Sequence, residues 1–487
     1  MALNSSGPIS LGGSTTGQSI NLENGLSATA QVSLNDAAVR NLAGLPTVNT
    51  TIIMPTNFYG KSNITYFLGL ITSAQLITLF YDGKLDSSGN IYSVGTYGAN
   101  NLNDTFVVKF NNSGAIQFQV TGTTSGSFTD RWGFVAVAPS SGNTYVIGDV
   151  RGFSDPFWGI AKYNSSGTLQ WSRSIQTTSA AFDDSGNIVI DSSENVYVIG
   201  DLNNFANITL AKYDTNGTIQ WQRIVGTSSK FFGRVAIDSS GNLYAGFCAL
   251  SGSFYQAQFM KLNSTATAVT WQKAISNASV DVYIQYIYID SSSNVYVLGQ
   301  VRNTSAFIFK FDSSGNTLWQ RTLSSGIANA DGYTGMVLDS SSNIYVIGTM
   351  STSASTNLSV LVKYDTNGTL QWQRSYKRTT TSGSDTFGGI AIDSNGTLYI
   401  SGSTTTTTTA PVGYSGLLLK LPSDGSKTGV YTVGGVSFTY AVSTFTSATG
   451  SLTVSTPGNS TSAGSGTEGA LSLTTGTASA TSNTTTI

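Results

Sequence analysis

Two turn sequences carry the side chains best suited to bind a metal ion. They are Asp214–Gly217 and Asp365–Gly368, both DTNG, which resemble the start of an oxygen-rich calcium loop. A calcium loop also needs a further acidic ligand and a terminal glutamate, and neither turn is followed by that set. Asp and Asn side chains commonly fix tight turns by accepting backbone hydrogen bonds. We therefore predict an Asx-type turn at each place and no metal site.

Isolated aspartates offer a second kind of chemistry, because hydrolysis of a glycosidic bond needs two opposed carboxyl groups. The aspartates between predicted strands are Asp130, Asp183, Asp184, Asp281 and Asp331. Their spacing pairs no two of them, so we predict no catalytic residue.

The composition excludes several other classes of function. Histidine is absent, which removes Ser-His-Asp and Cys-His nucleophiles and His-ligated metals. The single cysteine, Cys248, lies in the apolar run AGFCAL and is expected to be buried. Only 10% of residues are charged and the net charge is −2, which gives no electrostatic footprint for nucleic acid or an anionic membrane. No cofactor is expected.

The elements that would hold any site come from an internal repeat. A signature of the form DSSGNxYxxG begins with Asp86–Gly95 and ends with the variant Asp393–Gly402. One copy, Pro139–Gly148, begins with proline instead of aspartate. Each of the seven copies contains one tyrosine, and successive tyrosines lie 47 to 54 residues apart. They are Tyr92, Tyr145, Tyr197, Tyr244, Tyr296, Tyr345 and Tyr399.

A second signature alternates with the first. It starts with a lysine before an aromatic or leucine, continues through a polar turn and often ends in LQWxR. Its lysines are Lys109, Lys162, Lys212, Lys261, Lys310, Lys363 and Lys420. A period of about 50 residues with several short strands is typical of β-propeller blades. We predict an all-β fold, a seven-bladed β-propeller with four-stranded antiparallel blades, over residues 63–442.

The copies also predict where each strand lies in a blade. GGIAID is suited to a crowded inner strand, LYISG to the second, LLLKL or VLVKY to the third and TLQWQR to the outer strand. The outer-strand aromatics predicted to pack between blades are Phe118, Trp171, Trp221, Trp271, Trp319 and Trp372. In the last copy Tyr431 takes this place, and we expect the segment after Lys420 to supply the closing strand.

Two further sets of side chains look like surface features. The seven lysines are expected to be solvated or to lie at blade rims with their stems on an aromatic ring. Trp132 and Trp158 fall outside the outer-strand series, so we expect them to be exposed and name them as tentative contacts for a glycan or a partner.

The flanks differ in composition from the repeat. In residues 1–62, Ser33–Asp36 resembles a helix capping box, a short helix is predicted over Ala37–Ala43 and a strand over Thr51–Met54. This segment is too small for a core of its own, so we interpret it as a docking segment. Residues 443–487 are rich in Ser, Thr and Gly and are expected to be a disordered or extended tail.

Two resemblances add to this interpretation. The repeat resembles SBBP-type seven-bladed propeller repeats and, more distantly, the tryptophan-docked propellers of quinoprotein dehydrogenases, over about three-quarters of the chain. Quinone chemistry is not expected, because there is no vicinal cysteine pair and the predicted inner strands offer few charges.

The N-terminal segment resembles the opening of virion structural and tail proteins of tailed, cyanophage-like phages. The matching residues are Ser6–Leu11 (SGPISL), Arg40–Gly44 (RNLAG) and Phe58–Ser62 (FYGKS), in that order. The resemblance implies an assembly module carried on the virion, and it brings no catalytic residue.

Together these observations predict a non-enzymatic structural component of a phage virion, in the tail, baseplate or tail fibre. The propeller would be a rigid interaction platform present in multiple copies. Residues 1–62 and 443–487 would contact other virion proteins. The chain lacks an apparent signal peptide, so synthesis in the host cytoplasm is expected. A host-receptor or polysaccharide-binding adhesin and a glycan-degrading enzyme remain as alternatives.

Overall fold

The computed structural model describes residues 66–457, except 73–76, 100–101, 124–129, 152–155, 178–182, 228–232, 328–330, 354–355, 380–384, 406–412 and 434, together with 462–463, 467–470, 474–477 and 481–486. The chain divides into two compact units, Met1–Tyr66 and Phe67–Ile487. The helix and the strand predicted in residues 1–62 lie outside the described residues. No membrane-spanning helix is found in the part of the chain that the structure describes.

All regular structure in the described residues is β-strand, and the strands follow the sequence repeat. We number the repeats 1 to 7 and give the strands of each in chain order. The first strand, β1, is Phe67–Thr72. Repeat 1 has β2 Ile77–Leu85, β3 Ile91–Ala99, β4 Leu102–Phe110 and β5 Ile116–Thr123. Repeat 2 has β6 Arg131–Val137, β7 Thr144–Arg151, β8 Pro156–Tyr163 and β9 Leu169–Gln176. Repeat 3 has β10 Asp184–Ile190, β11 Val196–Leu202, β12 Asn207–Tyr213 and β13 Ile219–Thr227. Repeat 4 has β14 Arg234–Ile237, β15 Leu243–Ser251, β16 Phe254–Leu262 and β17 Val269–Ser276.

The later repeats have the same pattern. Repeat 5 has β18 Val282–Ile289, β19 Val295–Val301, β20 Ser305–Phe311 and β21 Thr317–Ser324. Repeat 6 has β22 Gly332–Leu338, β23 Ile344–Ser353, β24 Thr356–Tyr364 and β25 Leu370–Arg378. Repeat 7 has β26 Asp385–Ile392, β27 Thr397–Thr405 and β28 Tyr414–Pro422. The C-terminal part has β29 Gly429–Val433, β30 Val436–Val442, β31 Thr446–Thr449, β32 Thr453–Ser455, β33 Ser462–Ala463, β34 Thr467–Ala470, β35 Thr474–Thr477 and β36 Thr481–Thr486.

Each repeat folds as consecutive antiparallel strands, which is the blade of a β-propeller. The strand order predicted from the sequence is confirmed: LYISG lies in β27 and LLLKL in β28, while GGIAID lies mostly in β26 and TLQWQR mostly in β25. Apolar side chains fill the spaces between blades. The described residues contain seven hydrophobic clusters, and each joins two consecutive repeats, including repeat 7 with repeat 1.

The number of separate blades differs from the prediction. Repeats 2 to 6 each form a sheet of their own, so the structure has five separate blades and not seven. Repeats 7 and 1 belong to one continuous ten-stranded sheet. The physical reason is a parallel bridge between Ile77 of β2 and Tyr414 of β28, which joins the two sets of strands.

Closure of the ring also differs from the prediction. The strand that completes repeat 7 is β1, which pairs with β28 from Phe67 opposite Lys420 to Ile71 opposite Gly416. The segment after Lys420 does not close repeat 7. Its hairpin of β29 and β30 pairs instead with β25 of repeat 6, with Arg378 opposite Phe438. The two ends of the repeat region are therefore tied together by backbone hydrogen bonds.

The C-terminal tail is extended and pairs with the propeller itself. Its successive strands lie on the outermost strands of the repeats in reverse order around the ring. The pairs are β30 with β25, β31 with β21, β32 with β17, β33 with β13, β34 with β9, β35 with β5 and β36 with β1. Each outer edge of the six sheets is thus covered by a strand of the same chain, which removes free edges that promote aggregation.

Candidate functional site

The aspartates of the first signature fix the turn between the first two strands of a repeat. In repeat 1, Asp86 Oδ1 accepts the backbone N–H of Ser88 at 2.9 Å and of Asn90 at 3.0 Å. Asp86 Oδ2 accepts hydrogen bonds from the Asn90 side chain at 2.7 Å and the Tyr92 hydroxyl at 3.1 Å. The same Asp–Tyr contact recurs at Asp191, Asp238, Asp290, Asp339 and Asp393. These carboxylates therefore serve as hydrogen-bond acceptors that hold the turns.

The turns considered for calcium have a similar geometry. Asp214 Oδ1 accepts the backbone N–H groups of Asn216 and Thr218, each at 2.9 Å. Asp365 Oδ1 does the same for Asn367 at 3.0 Å and Thr369 at 2.8 Å. Both are Asx turns in which one carboxylate oxygen is used by the backbone.

The lysines of the second signature lie over the repeat tyrosines rather than in solvent. Their Nζ atoms are 4.9 to 5.6 Å from the ring centroids, within the range of a cation–π contact. The pairs are Lys109 with Tyr92, Lys162 with Tyr145, Lys212 with Tyr197, Lys261 with Tyr244, Lys310 with Tyr296, Lys363 with Tyr345 and Lys420 with Tyr399. Several lysines also donate to the next repeat, as Lys162 does to the Thr215 carbonyl at 3.1 Å.

The outer-strand aromatics pack on the tight turn of the next repeat. A Cβ added to Gly217, where φ is +76°, would lie 2.7 Å from Trp171 Cδ2. The Trp171 indole N–H donates to the Thr215 carbonyl at 3.1 Å, and Arg173 Nε donates to the Gly217 carbonyl at 2.7 Å. Phe118, Trp271, Trp319 and Trp372 contact Gly167, Gly315, Gly368 and Gly425 in the same way, and Trp221 packs against the cluster that contains Ala266. The aromatics predicted for blade packing therefore all lie at contacts between repeats.

Trp132 and Trp158 are not exposed, so that expectation is wrong. Both side chains are fully buried, because they point into the clusters between repeats. The Trp158 indole N–H donates to the Asp201 carbonyl at 3.1 Å. Neither ring presents a face on which a sugar could stack.

The isolated aspartates have separate structural partners. Asp183 accepts the backbone N–H of Thr177 at 2.7 Å and of Asn203 at 2.8 Å, and Asp331 accepts those of Ser325 and Ser351, each at 2.7 Å. Asp281 accepts the backbone N–H of Tyr255 at 2.9 Å, and Asp130 is buried. Through these hydrogen bonds Asp183, Asp281 and Asp331 each join segments of the chain that are distant in sequence.

Asp184 is different, because it belongs to a charged group with Arg131 and Asp149. Arg131 forms an ion pair with Asp149, and its Nη2 is 3.4 Å from Asp184 Oδ1. Burial, together with the charge of Asp149 and a hydrogen bond to it, raises the pKa of Asp184 to about 8, against the opposite effect of Arg131. This group lies where β6 and β10 begin.

The first strands of all repeats surround a central channel, and they run in the same direction. They begin at the loop face, where the connections vary from two residues between β3 and β4 to eight between β27 and β28. They end at the turn face, which carries the tight Asp turns. Equivalent residues of the seven first strands form levels along the channel. Three such levels are defined by the register of the first strands with the repeat tyrosines.

The first level, opposite the repeat tyrosines, consists of Lys84, Ala136, Val189, Ala236, Tyr288, Val337 and Ala391. One residue further towards the turn face is an aliphatic level formed by Leu85, Val137, Ile190, Ile237, Ile289, Leu338 and Ile392. Two residues before the first level, towards the loop face, is a polar level formed by Asp82, Phe134, Asn187, Arg234, Tyr286, Gly335 and Gly389.

A cavity of about 530 Å³ lies along the channel between the polar and the aliphatic levels. The Lys84 ammonium reaches from repeat 1 to 5.9 Å from the centre of the Tyr286 ring in repeat 5, and it donates to Asp82 Oδ1 at 3.0 Å. Burial lowers the pKa of Lys84, but the charges of Asp82 and Tyr286 raise it more, so its pKa is above the usual value.

Arg234 is the second cation of the cavity. Its side chain is buried, its guanidinium lies 4.9 Å from the centre of the Phe134 ring and it donates to the Gly233 carbonyl at 2.9 Å. Burial lowers the pKa of Arg234 to about 10. A buried guanidinium and an ammonium thus lie at the polar end of a cavity whose other end is aliphatic.

Sequence reasoning missed these channel residues, although a signal was present. The last repeat has GGIAID in its inner strand, where close packing favours small apolar residues. The first and fifth repeats instead read YDGKL and YIQYIYID. They place Lys84 at a level where five other repeats have Ala or Val, and Tyr286 at a level where the last two repeats have Gly. A departure from the repeat at an inner-strand position therefore marks the candidate site.

Neither a protein-family model nor a curated protein matches the chain. Among solved structures, the chain is similar to Sqt1 of Chaetomium thermophilum bound to the N-terminus of ribosomal protein L10. The identity is 9%, the match covers 72% of this chain and 98% of that chain, and the TM-score is 0.42. A second structure of Sqt1 from this organism is 10% identical over 75% of this chain and 98% of that chain, with a TM-score of 0.42. A subtype N11 neuraminidase-like protein of the flat-faced bat isolate H18N11 is 10% identical over 60% of this chain and 87% of that chain, with a TM-score of 0.37.

Proposed function

We propose that the chain is a non-enzymatic structural component of a phage virion, in the tail, baseplate or tail fibre. In this proposal the propeller is a rigid platform and the N-terminal segment attaches it to other virion proteins. The platform role rests on one observation: the chain covers the outer edge of every sheet with its own tail strands. The virion location rests on the resemblance of the motifs SGPISL, RNLAG and FYGKS to phage structural proteins.

Rigidity is supported by the contacts between repeats. Five repeats are fixed to the next by an aromatic side chain on a glycine turn. Hydrogen bonds add to these contacts, such as Lys162 Nζ to the Thr215 carbonyl at 3.1 Å and Arg321 Nε to the Gly368 carbonyl at 2.7 Å. At the ring closure, Lys420 donates to the Asn112 carbonyl at 3.1 Å and Tyr399 donates to Asn112 Oδ1 at 3.0 Å. A platform with such contacts keeps its shape when a partner binds, which lowers the entropic cost of association.

We also infer that the ten-stranded sheet works as two blades, so that the ring has seven-fold SBBP-type repetition. One parallel bridge joins repeats 7 and 1, whereas the hydrophobic cluster between them resembles those between the other repeats. The loop face would then carry the contacts to partners, because its connections vary in length while the turn face is uniform.

An adhesin role for Trp132 and Trp158 has no support, because both are buried. The proposed function is tested by mass spectrometry of purified virions from the host that carries the gene. We expect the protein in intact particles at a fixed copy number, and its absence would contradict the proposal.

A matched pair of phage deletions sharpens the test. Deletion of residues 1–62 should remove the protein from particles while the propeller still accumulates in the lysate. Deletion of residues 481–487 takes away only β36 and should leave the protein on the particle. Equal loss from both deletions would count against attachment through the N-terminal segment.

A further inference from the structure

We propose that the central channel binds a small amphipathic monoanion, a carboxylate carried on an apolar body. Its charged group would lie between Arg234 and Lys84, and its apolar body would lie against the aliphatic level towards the turn face. This binding site goes beyond the role as a structural platform.

The propeller does not need the charges of Lys84 and Arg234 in order to fold. At the level of Lys84, five of the other repeats have Ala or Val, and at the level of Arg234 two repeats have glycine. The repeats with small residues fold into the same strands in the same register, with the exception of local bulges. Lys84 is compensated by Asp82, whereas the burial of Arg234 lowers its pKa to about 10 and therefore costs free energy. The charge of Arg234, which the repeat does not require, is best explained by a ligand.

Two cations line the polar end of the cavity, Lys84 and Arg234. The anionic group of a ligand placed between them would be attracted by both. A ligand with one negative charge therefore suits this end of the cavity.

The volume and the walls of the cavity suit an apolar body. The volume of about 530 Å³ is in the range of roughly 300–1,000 Å³ that is typical of small-molecule sites. Towards the turn face the walls are side chains such as Ile190, Ile237 and Ile289, which offer no hydrogen-bonding group. A sugar in this position would leave its hydroxyl groups unpaired at a cost of about 1–3 kcal/mol each. An aliphatic or aromatic body would be well accommodated.

The experiment is isothermal titration calorimetry on the full chain at pH 7 with octanoate, octan-1-ol and octylammonium. These probes share one apolar body and differ in charge. We expect octanoate to bind at least tenfold more tightly than octan-1-ol, and octylammonium to bind most weakly. Octanoate binding that is absent, or no tighter than that of octan-1-ol, would overturn the proposal.

Variants locate the site. Arg234→Met and Lys84→Met should each weaken octanoate binding at least tenfold, whereas Arg302→Met should leave it unchanged, because Arg302 pairs with Asp281 at 3.0 Å away from the channel. Ala391→Leu narrows the cavity without removing a charge and should also abolish binding. If thermal unfolding shows that Arg234→Met does not fold, the octanoate affinities of Lys84→Met and Ala391→Leu test the location of the site. Unchanged affinity in these channel variants would overturn the proposed location.

Discussion

The Tyr145 hydroxyl of repeat 2 donates a hydrogen bond of 2.6 Å to Glu194 Oε2 of repeat 3. Repeat 2 lacks the turn aspartate that accepts this hydrogen bond in the other six repeats. Glu194 supplies the missing carboxylate from the neighbouring turn, where it also accepts hydrogen bonds from Ser141 at 2.8 Å and Asn143 at 2.9 Å. It does so at a φ of +58°, in a turn position that glycine occupies in repeat 1.

Replacement of Glu194 should therefore destabilise the junction of repeats 2 and 3. In Glu194→Gly the backbone strain is relieved, but Tyr145, Ser141 and Asn143 all lose their acceptor. Each lost hydrogen bond costs about 0.5–1.5 kcal/mol, so we expect a net loss of about 1–2 kcal/mol in the free energy of unfolding, measured with urea. A Ser293→Gly variant is the control, because Ser293 has a φ of +60° in the same turn position of repeat 5 and no cross-repeat role. A stability gain in both variants would show that the Glu194 contacts contribute little.

The Glu194 carboxylate should make the free energy of unfolding depend on pH. Burial raises the pKa of Glu194, but other contacts lower it more, so that it lies below the usual value of 4.5. These contacts are hydrogen bonds from Tyr145, Asn143 and Ser141 and the charge of Lys162. A depressed pKa contributes stability that is present above pH 4.5 and is lost as the pH falls through the lower, folded-state value. Glu194→Gln should remove this contribution, so the difference in unfolding free energy between wild type and variant should shrink below pH 4.5. A constant difference from pH 7 to pH 3 would contradict the assignment.

The glycine turns beneath the outer-strand aromatics should tolerate no side chain. Gly217→Ala combines a left-handed φ of +76° with a Cβ at 2.7 Å from Trp171. Gly252 has a φ of +64° and nothing within 4 Å of an added Cβ, so Gly252→Ala measures the backbone cost alone. That cost is about 1–2 kcal/mol, and overpacking adds roughly 1–3 kcal/mol more at Gly217. Equal unfolding free energies for the two variants would show that Trp171 moves aside without cost.

Removal of the tail should expose the sheet edges. A chain that ends at Val442 keeps β30 but loses the strands that cover β5, β9, β13, β17, β21 and β1. Unpaired outer strands pair readily with other chains, so we expect concentration-dependent association in analytical ultracentrifugation and a lower unfolding temperature. A chain that ends at Ala480 exposes only β1 and should associate less. A monomeric chain with unchanged stability would mean that the tail strands contribute nothing.

Trp158 should matter for stability rather than for recognition. The side chain is fully buried and its indole N–H is paired with a backbone carbonyl, so Trp158→Ala should cost about 3–5 kcal/mol in unfolding free energy. Leu250→Ala, at a position that is 49% exposed, is the control and should change the stability by no more than about 0.5 kcal/mol. A stable Trp158→Ala protein would contradict this packing.

The sequence by itself determined the repeat, its strands and the pairing of residue types within it. Alternating apolar positions, Asp and Asn turns and the recurrent outer-strand tryptophan are local features with local physical causes, so they could be recognised from the sequence. Phe118, Trp171 and the other outer-strand aromatics were found in this way.

The tertiary structure alone decided what depends on contacts between distant residues. It showed that β1 rather than the segment after Lys420 completes repeat 7, because backbone hydrogen bonding leaves no trace of its partner in the side chains. For the same reason, the side chains of the Ser-, Thr- and Gly-rich tail do not reveal that its strands pair in order with the outer strands of the repeats. It also buried Trp132 and Trp158 and brought Lys84 to Tyr286 across the channel, since only closure of the ring places repeats 1 and 5 face to face.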